Sequence, residues 1–511
     1  MAERCAGTWR PGERLAWTAD SDALAIGRDA VGADVVPQRL ADVTGAFAGA
    51  WTDDAGRLHV ARDPLGHRSM FVHRGADGVV RWGTRIADLL AAGAPRDIDP
   101  IGVAAFLTTA FVPGERTLLA GVRAVQPGTE LVFDARGEEV CTFWSIPPAP
   151  AVFDDEDTLR TRLRDLLAQT VGRMLPQGRV AASLSGGIDS SAVVALARAA
   201  GAEVEALSIT FGAPHADELA WSGLLAKHTG ARHHVVTVRA QDVIDGLDAT
   251  VQALSEPNGD PLTVPNRMMF QAARALGCDV MLNGEGGDPC FGGPKNGPML
   301  LAELYGDAHA RERSYLRAHQ RLWDDLPAAA GPALNDAHLS GAIEGLVTPW
   351  LSDPRWPGLL DRLLALNVAW KGASHILPKV EHLGLAEGVR PRSPLFDRDV
   401  VALAFALPAQ LKRAGAVEKH LFKASVADIV PQAIRDRPKS GMLVPVEAWL
   451  SGPLRTFARE RLLDGLAPWG FVDKAWMERL IDGRGEGLRP RRGVKLWLLL
   501  TLESWLRGVR A

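Results

Sequence analysis

Cysteine is scarce in this chain of 511 residues: there are four, Cys5, Cys141, Cys278 and Cys290, far apart and with no Cys-x-x-Cys pair. That argues against a disulfide framework and a thiolate zinc site, and fits a reducing cytoplasm. Neither charge sign dominates. Lysine plus arginine number 57 against 61 aspartates and glutamates, a formal net charge of −4, which gives no global pull toward nucleic acid or an anionic membrane. The basic run Arg489, Arg491, Arg492, Lys495 reads as a solvated face. The start, Met-Ala-Glu-Arg-Cys-Ala-Gly, has no apolar segment, so no signal peptide is expected. The run Leu496 to Leu502 is too short to span a bilayer. No repeat or low-complexity tract stands out.

What is present is ordinary for a globular protein with ample core: 47% apolar and 23% charged residues, over a length that suits two or three domains. One stretch organises the rest. Residues 179–184 read as a short buried strand, Ser185-Gly-Gly187 as a turn, and the residues from Ser190 onward as a helix. A glycine turn before a helix N-terminus lets backbone N–H groups close on an anion, and the helix dipole favours negative charge there. Ser190 and Ser191 add hydroxyls. Asp189 would repel a phosphate, so its natural role is to hold a cation such as Mg²⁺. The loop has no lysine, which excludes the Gly-x-x-x-x-Gly-Lys-Ser/Thr phosphate loop.

A second stretch, Met281-Leu-Asn-Gly-Glu-Gly-Gly-Asp288, again runs from an apolar strand into a glycine turn and presents Glu285 and Asp288. One cation shared by Asp189 and Asp288 would neutralise a triphosphate and the departing pyrophosphate. Between the two, Val204–Phe211 and His233–Val238 read as strands and Asp217-Glu218 as a helix start, so the βαβαβ alternation predicts a parallel, doubly wound sheet with ligands at the strand C-terminal ends. His233 and His234 are adjacent on a strand and point to opposite faces, which argues against a shared metal. Leu159, Leu163, Leu166, Leu167, Val171 and Met174 form one apolar helical stripe.

The first loop, Ser185-Gly-Gly-Ile-Asp-Ser190, resembles the pyrophosphate loop of ATP pyrophosphatases, which cleave ATP between the α and β phosphates. The second resembles the corresponding segment of asparagine synthetases, as does Cys290-Phe-Gly-Gly293. A third match runs through Leu377-Pro-Lys-Val-Glu381, Gly388 to Asp397, Lys419-His-Leu-Phe-Lys423 and Arg437-Pro-Lys-Ser-Gly441. The chain is thus similar, over nearly its whole length, to the asparagine synthetase-like superfamily. The resemblance implies that ATP and Mg²⁺ activate a carboxylate as acyl-AMP and that a nitrogen nucleophile then forms an amide. It implies that Leu184, Ser185, Gly186, Gly187, Asp189, Ser190, Ile209, Asn283, Gly284 and Lys423 bind the nucleotide, with Ile209 beside the adenine. Asp189 and Asp288 would hold the metal, and Lys419 is a further candidate for phosphate contact. Lys439 falls on the family's catalytic lysine, where it would stabilise charge on the α-phosphate and the tetrahedral oxyanion. Glu285 and Arg390 complete the expected catalytic set. Asparagine synthetases carry a glutamate at Arg390, so this charge reversal should change the substrate, by docking a carboxylate or by pairing with an acid such as Glu285. β-Lactam synthetases typically carry tyrosine at Glu285, which weighs against that branch.

Residues 1–144 read as β-rich. Gly45-Ala-Phe-Ala, Ala61-Arg-Asp-Pro-Leu-Gly66, Val112 to Leu118, Val125-Gln-Pro-Gly128 and Trp144 resemble part of an N-terminal-nucleophile glutaminase. That family needs a cysteine freed as residue one, but residue 2 here is alanine, and few residues precede Gly45. A Cys5 start would require cleavage after Arg4. The unit is expected to be a structural relic without glutamine hydrolysis, joined through the proline-rich, acidic stretch 145–157. The expected fold class is α/β: a truncated glutaminase-like α+β sandwich over 1–148, then a doubly wound, adenine nucleotide alpha hydrolase-like sheet domain over 149–511 with a helical C-terminal part. The expected activity is a cytoplasmic, AMP-forming carbon–nitrogen ligase acting on small-molecule or peptide carboxylates and amines, in specialised metabolism. No nucleic-acid or membrane partner is expected, and a homodimer is compatible with the reading. The alternatives are asparagine synthesis with ammonia or glutamine, and a nucleotide-binding scaffold with dead chemistry.

Overall fold

A computed structural model describes residues 5–15, 18–22, 40–148, 154–215, 217–305, 310–334, 339–439, 441–484 and 491–510. In the first third, short strands separated by turns pair antiparallel in two sheets. β1 (Ala6–Trp9), β6 (Val80–Gly83), β5 (Phe71–Arg74) and β7 (Arg123–Ala124) form one, in that order. β2 (Thr18–Asp22), β3 (Ala46–Thr52), β4 (Leu58–Arg62), β8 (Thr129–Phe133) and β9 (Glu138–Thr142) form the other. Trp9, Val72 and Trp82 of the first share one core with Val60 and Phe133 of the second. Helix α1 (Ile86–Ala91) follows β6, and α2 (Pro100–Thr109) opens with the Asp99 side chain accepting from Ile101 N–H at 3.0 Å. Apart from its first two residues, α2 is buried, so it has no polar face and must run through the interior. Its C-terminal end is tied to later parts of the chain: Gly259 N–H donates to Ala110 C=O at 2.9 Å and Arg321 N–H to Thr108 C=O at 2.7 Å.

Helix α3 (Glu156–Met174) carries the apolar stripe expected for it, capped by Asp155 accepting from Thr158 N–H at 2.9 Å. A five-stranded, all-parallel sheet comes next: β10 (Arg179–Ser183), β11 (Glu203–Thr210), β12 (Arg232–Thr237), β13 (Val280–Leu282) and β14 (Arg390–Arg392), in the spatial order β12-β11-β10-β13-β14. Its apolar residues alternate between two cores. Val180, Ala182, Ala206, Val280 and Leu282 join α3 on one face, whereas Ala181, Leu207, Ile209 and Met281 join the residues of the last helix, Arg492–Arg510, on the other. Covering both faces is what a parallel sheet of near-continuous apolar strands requires. The Leu496–Leu502 run thus fills a core, and no helix among the described residues is long and apolar enough to cross a membrane. His233 Nε2 lies 2.8 Å from Ser208 Oγ and His234 Nε2 2.7 Å from Glu205 Oε2, so the two rings take separate partners.

One long helical segment is wound unevenly. Leu359–Leu366 and Leu377–Ala386 are α-helical, and Asn367–Ile376 between them is a π-helix. The antiparallel part of the chain docks onto it. Arg62, 4% exposed, donates to the carbonyls of Arg68 (2.5 Å), Val125, Gly66 and, across the junction, Ala373 (each 3.0 Å). Glu381, 2% exposed, accepts from Ser69 N–H and Ser69 Oγ–H.

Candidate active site

Strand order reverses between β10 and β13: the chain leaves β10 toward β11 and β12, then returns to β13 on the other side. Such a switch point opens a crevice at the strand C-terminal ends, and both glycine loops lie there. The first leads into helix α4 (Ile188–Ala199). Its hydroxyls organise the turn: Ser185 N–H donates to Ser190 Oγ at 3.2 Å, the two Oγ atoms are 3.1 Å apart, and Gly187 N–H donates to Ser185 Oγ at 3.3 Å. Gly186 has φ +74°, and a Cβ there would stand 2.5 Å from Trp221 Cβ, so the turn admits no side chain. At Gly284 a Cβ would stand 2.5 Å from Ser190 N, and at Gly287 one would run into the Asp189 carboxylate, so the two loops pack closely where glycine leaves room.

The contact brings the two aspartates together on a residue from far down the chain. Lys419 Nζ lies 2.7 Å from Asp189 Oδ1, 2.6 Å from Asp189 Oδ2 and 2.5 Å from Asp288 Oδ1. Its side chain has no exposed surface, and its backbone is left-handed at φ 54°. Burial would push this ammonium down, but the two carboxylates outweigh burial and hold it above its ordinary value. Asp288 shows the reciprocal effect: burial would raise it, yet Lys419 and then Lys439 hold it well below the usual carboxylate range. Lys439 Nζ is 3.3 Å from Asp189 Oδ2 and 3.7 Å from Asp288 Oδ2. Asp189 above all, with Asp288 and Glu285, raises its ammonium against burial. Its side chain keeps 28% exposure toward the cleft. Arg437 fixes that segment to the first loop, donating to Gly186 C=O at 3.2 Å, pairing with Glu218 and covering the Trp221 ring. Ser440 lies outside the described residues.

Asp189, Glu285, Asp288 and Lys439 line an open cleft of about 260 Å³ together with Leu184, Ile209, Met269 and Lys371, and Lys419 lies buried behind it. Of the residues singled out in the sequence, Leu184, Ser185, Gly287, Asp189, Ser190, Ile209, Gly284, Glu285, Asp288 and Lys439 meet there. Gly186 and Gly187 shape the first loop, and Asn283 Oδ1 accepts from Glu285 N–H at 3.0 Å behind the second. Lys423 is not among the lining residues; it lies in the last turn of the short helix His420–Ser425. Arg390 is a correction. It is exposed and opens β14 in register with Val280, the first residue of β13. That is the end of the sheet opposite the loops, and Arg390 is not among the residues that line the cleft. Sequence reasoning ranked Lys419 below Lys439 and passed over Arg437 as a clamp, although both sit in matched segments. It gave no sign of Lys371.

Residues 162–507 match the family model for asparagine synthase, and residues 11–144 that for the glutamine amidotransferase domain. The chain is 27% identical to a Mycobacterium tuberculosis protein named "Putative asparagine synthetase (glutamine-hydrolyzing)", over 97% of this chain and 80% of that one. It is 22% identical to "Asparagine synthetase (glutamine-hydrolyzing) 1" of Bacillus subtilis, over 89% and 76%. It is 26% identical to the carboxyethyl-arginine beta-lactam-synthase of Streptomyces clavuligerus, over 60% and 47%. The chain belongs to the asparagine synthase family and is an ATP-dependent carbon–nitrogen ligase.

Proposed function

We propose that the cleft binds ATP with Mg²⁺, adenylates a carboxylate and passes the acyl group to an amine or to ammonia, in specialised rather than asparagine metabolism. A carboxylate oxygen attacks the α-phosphorus, the bridging bond to the β-phosphate breaks, and pyrophosphate leaves. The nitrogen nucleophile then attacks the acyl carbon, the bond to AMP breaks, and the nitrogen sheds a proton. The observation that carries this reading is the convergence of Asp189, Asp288, Lys419 and Lys439 between two glycine loops. The first loop would take the pyrophosphate end of the nucleotide, and Ile209, on the β11 side, its adenine. Lys439, with one side open to the cleft, is placed to meet charge on the α-phosphate and on the acyl oxyanion. The two carboxylates suit Mg²⁺, which favours one or two protein carboxylates plus phosphate and water oxygens. The metal would supply charge neutralisation of the triphosphate.

The antiparallel part, residues 1–148, acts in this reading as a brace without glutaminase chemistry, and residues 149–511 carry the ligase. The 1% exposure of Cys5 within the sheet core supports the first assignment. The relatives' names favour a second reading, asparagine synthesis from glutamine. Pyrophosphate release separates the two. Release with aspartate and ammonia would identify an asparagine synthetase, and glutamine as sole nitrogen donor would restore the amidohydrolase role. Release only with pooled acids and amines would identify a specialised ligase. Intact turnover in Lys439→Ala and Asp189→Asn would overturn the site itself.

A further inference from the structure

The parallel sheet ends in two unlike edges. β14 closes one side with Arg390-Pro391-Arg392, a short strand whose proline and charges are the usual guard against pairing with another chain. β12 closes the other with Arg232-His-His-Val-Val-Thr237, six residues against three, and has neither proline nor lysine. Its arginine turns back on its own sheet, where Nε donates to Glu205 Oε1 at 2.9 Å. No residue of β12 is buried, and Val235 is 46% exposed. Helix α5 (Leu219–Thr229) flanks the same face: Ala206, in register with His233, shares a core with Leu225 and Ala226. That helix presents Leu224, 39% exposed.

Which backbone groups point outward follows from the hydrogen bonds on the inner side. Val238 N–H donates to Thr210 C=O at 2.9 Å, so the even-numbered residues here turn their N–H and C=O toward β11. His233, Val235 and Thr237 turn theirs away from the sheet. None of these N–H and C=O groups has a partner among the described residues.

Their spacing fits one arrangement of a second copy. Two residues directly opposite in an antiparallel pair exchange both backbone bonds. A two-fold axis at Val235 sets the two Val235 residues opposite each other, and His233 of each copy opposite Thr237 of the other. Every outward N–H and C=O is then used. Arg232 falls opposite Val238 and His234 opposite Val236, so no cation meets its like. The central valines meet on the face that carries Leu224. A shift of two residues either way runs one end of each strand past its partner. We propose that β12 pairs with β12 of a second copy about this axis, so that two five-stranded sheets become one of ten strands. The contact is isologous, as closed two-fold dimers require. No residue of β12 lines the cleft, so each copy keeps its own site open. A contact of this size predicts a dimer that exchanges at micromolar concentration.

Sedimentation velocity and amide hydrogen exchange on the full chain test the pairing. Wild type should sediment as a dimer in the upper micromolar range and dissociate on dilution. Exchange at His233, Val235 and Thr237 should slow as the dimer forms. Val235→Lys sets like charges opposite each other and should raise the dissociation constant about tenfold or more. Val235→Pro removes an outward N–H and no bond of the sheet itself, and should be monomeric where wild type is dimeric. Both variants should melt at the temperature of the dilute wild type. A wild type that stays monomeric throughout, an unchanged dissociation constant in Val235→Lys, or a dimer whose protected amides lie outside β12 would each overturn the inference. If Val235→Pro fails to fold, Val235→Lys and the exchange pattern decide it.

Discussion

The ammonium of Lys419 stands 2.6 Å from Asp189 Oδ2 and 2.5 Å from Asp288 Oδ1, joining two loops that the chain separates by about a hundred residues. It neutralises the carboxylates of buried Asp189 and half-buried Asp288 before any substrate arrives. Lys419→Met therefore leaves them only Lys439, at 3.3 and 3.7 Å, and the expected loss of stability is about 1–3 kcal/mol. Mg²⁺ without nucleotide should then raise the melting temperature of Lys419→Met and leave wild type unchanged. Thermal melts with and without MgCl₂ check both halves; a wild type that Mg²⁺ alone stabilises equally would contradict the role given to Lys419.

Lys439 differs because its side chain keeps one open face and Asp189 retains Lys419 when it is gone. Lys439→Ala should lower pyrophosphate formation by roughly 100- to 1000-fold, the range for losing one oriented electrostatic contact, with little change in melting temperature. Arg437→Met, which releases the segment from Gly186, should lower kcat more than it raises KM. Steady-state kinetics on the two variants decide the matter; a pure KM effect for Lys439→Ala would assign it to ground-state binding.

Glu256 lines a small cavity between the antiparallel part and the sheet domain, and among the described residues it accepts one hydrogen bond, from Leu118 N–H at 2.8 Å. Burial pushes its carboxyl from the ordinary 4.5 up to about 8. Between those pH values the folded chain holds a proton that the unfolded chain has lost, so stability falls as pH rises through that window. Glu256→Gln keeps the acceptor and removes the titration. Its melting temperature should exceed that of wild type at the upper end of the window and converge with it at the lower end. Parallel melting curves across the range would show that the acid does not titrate there.

Arg62 donates to four carbonyls from a buried position, one of them Ala373 on the π-helix. Arg62→Met leaves those carbonyls without their donor, at an expected cost of about 3–5 kcal/mol. Limited proteolysis should then release the first 148 residues as a fragment from the variant before it does so from wild type. Identical digestion patterns would mean that the junction is held elsewhere.

How far the sequence could be read follows from distance along the chain. The two glycine loops were legible because strand, turn and helix are contiguous, and because Gly186 and Gly284 sit where only glycine fits. The parallel sheet followed from the alternation of strands and helices along the chain. Lys419 was legible only as a match to a family segment, since nothing local says that it will meet Asp189, 230 positions away. Arg390 misled for the opposite reason. Its family position drew attention to its charge, but its register with Val280 puts it at the wrong end of the sheet. Lys371 left no trace, because no residue pattern announces a π-turn.

The Ala373 carbonyl that Arg62 caps lies two residues beyond Lys371, so one guanidinium fastens the antiparallel part of the chain to a segment that lines the cleft. A chain cut back to the part that matches asparagine synthase would lose that hold on the cleft wall, so truncation is a poor route to a smaller catalyst.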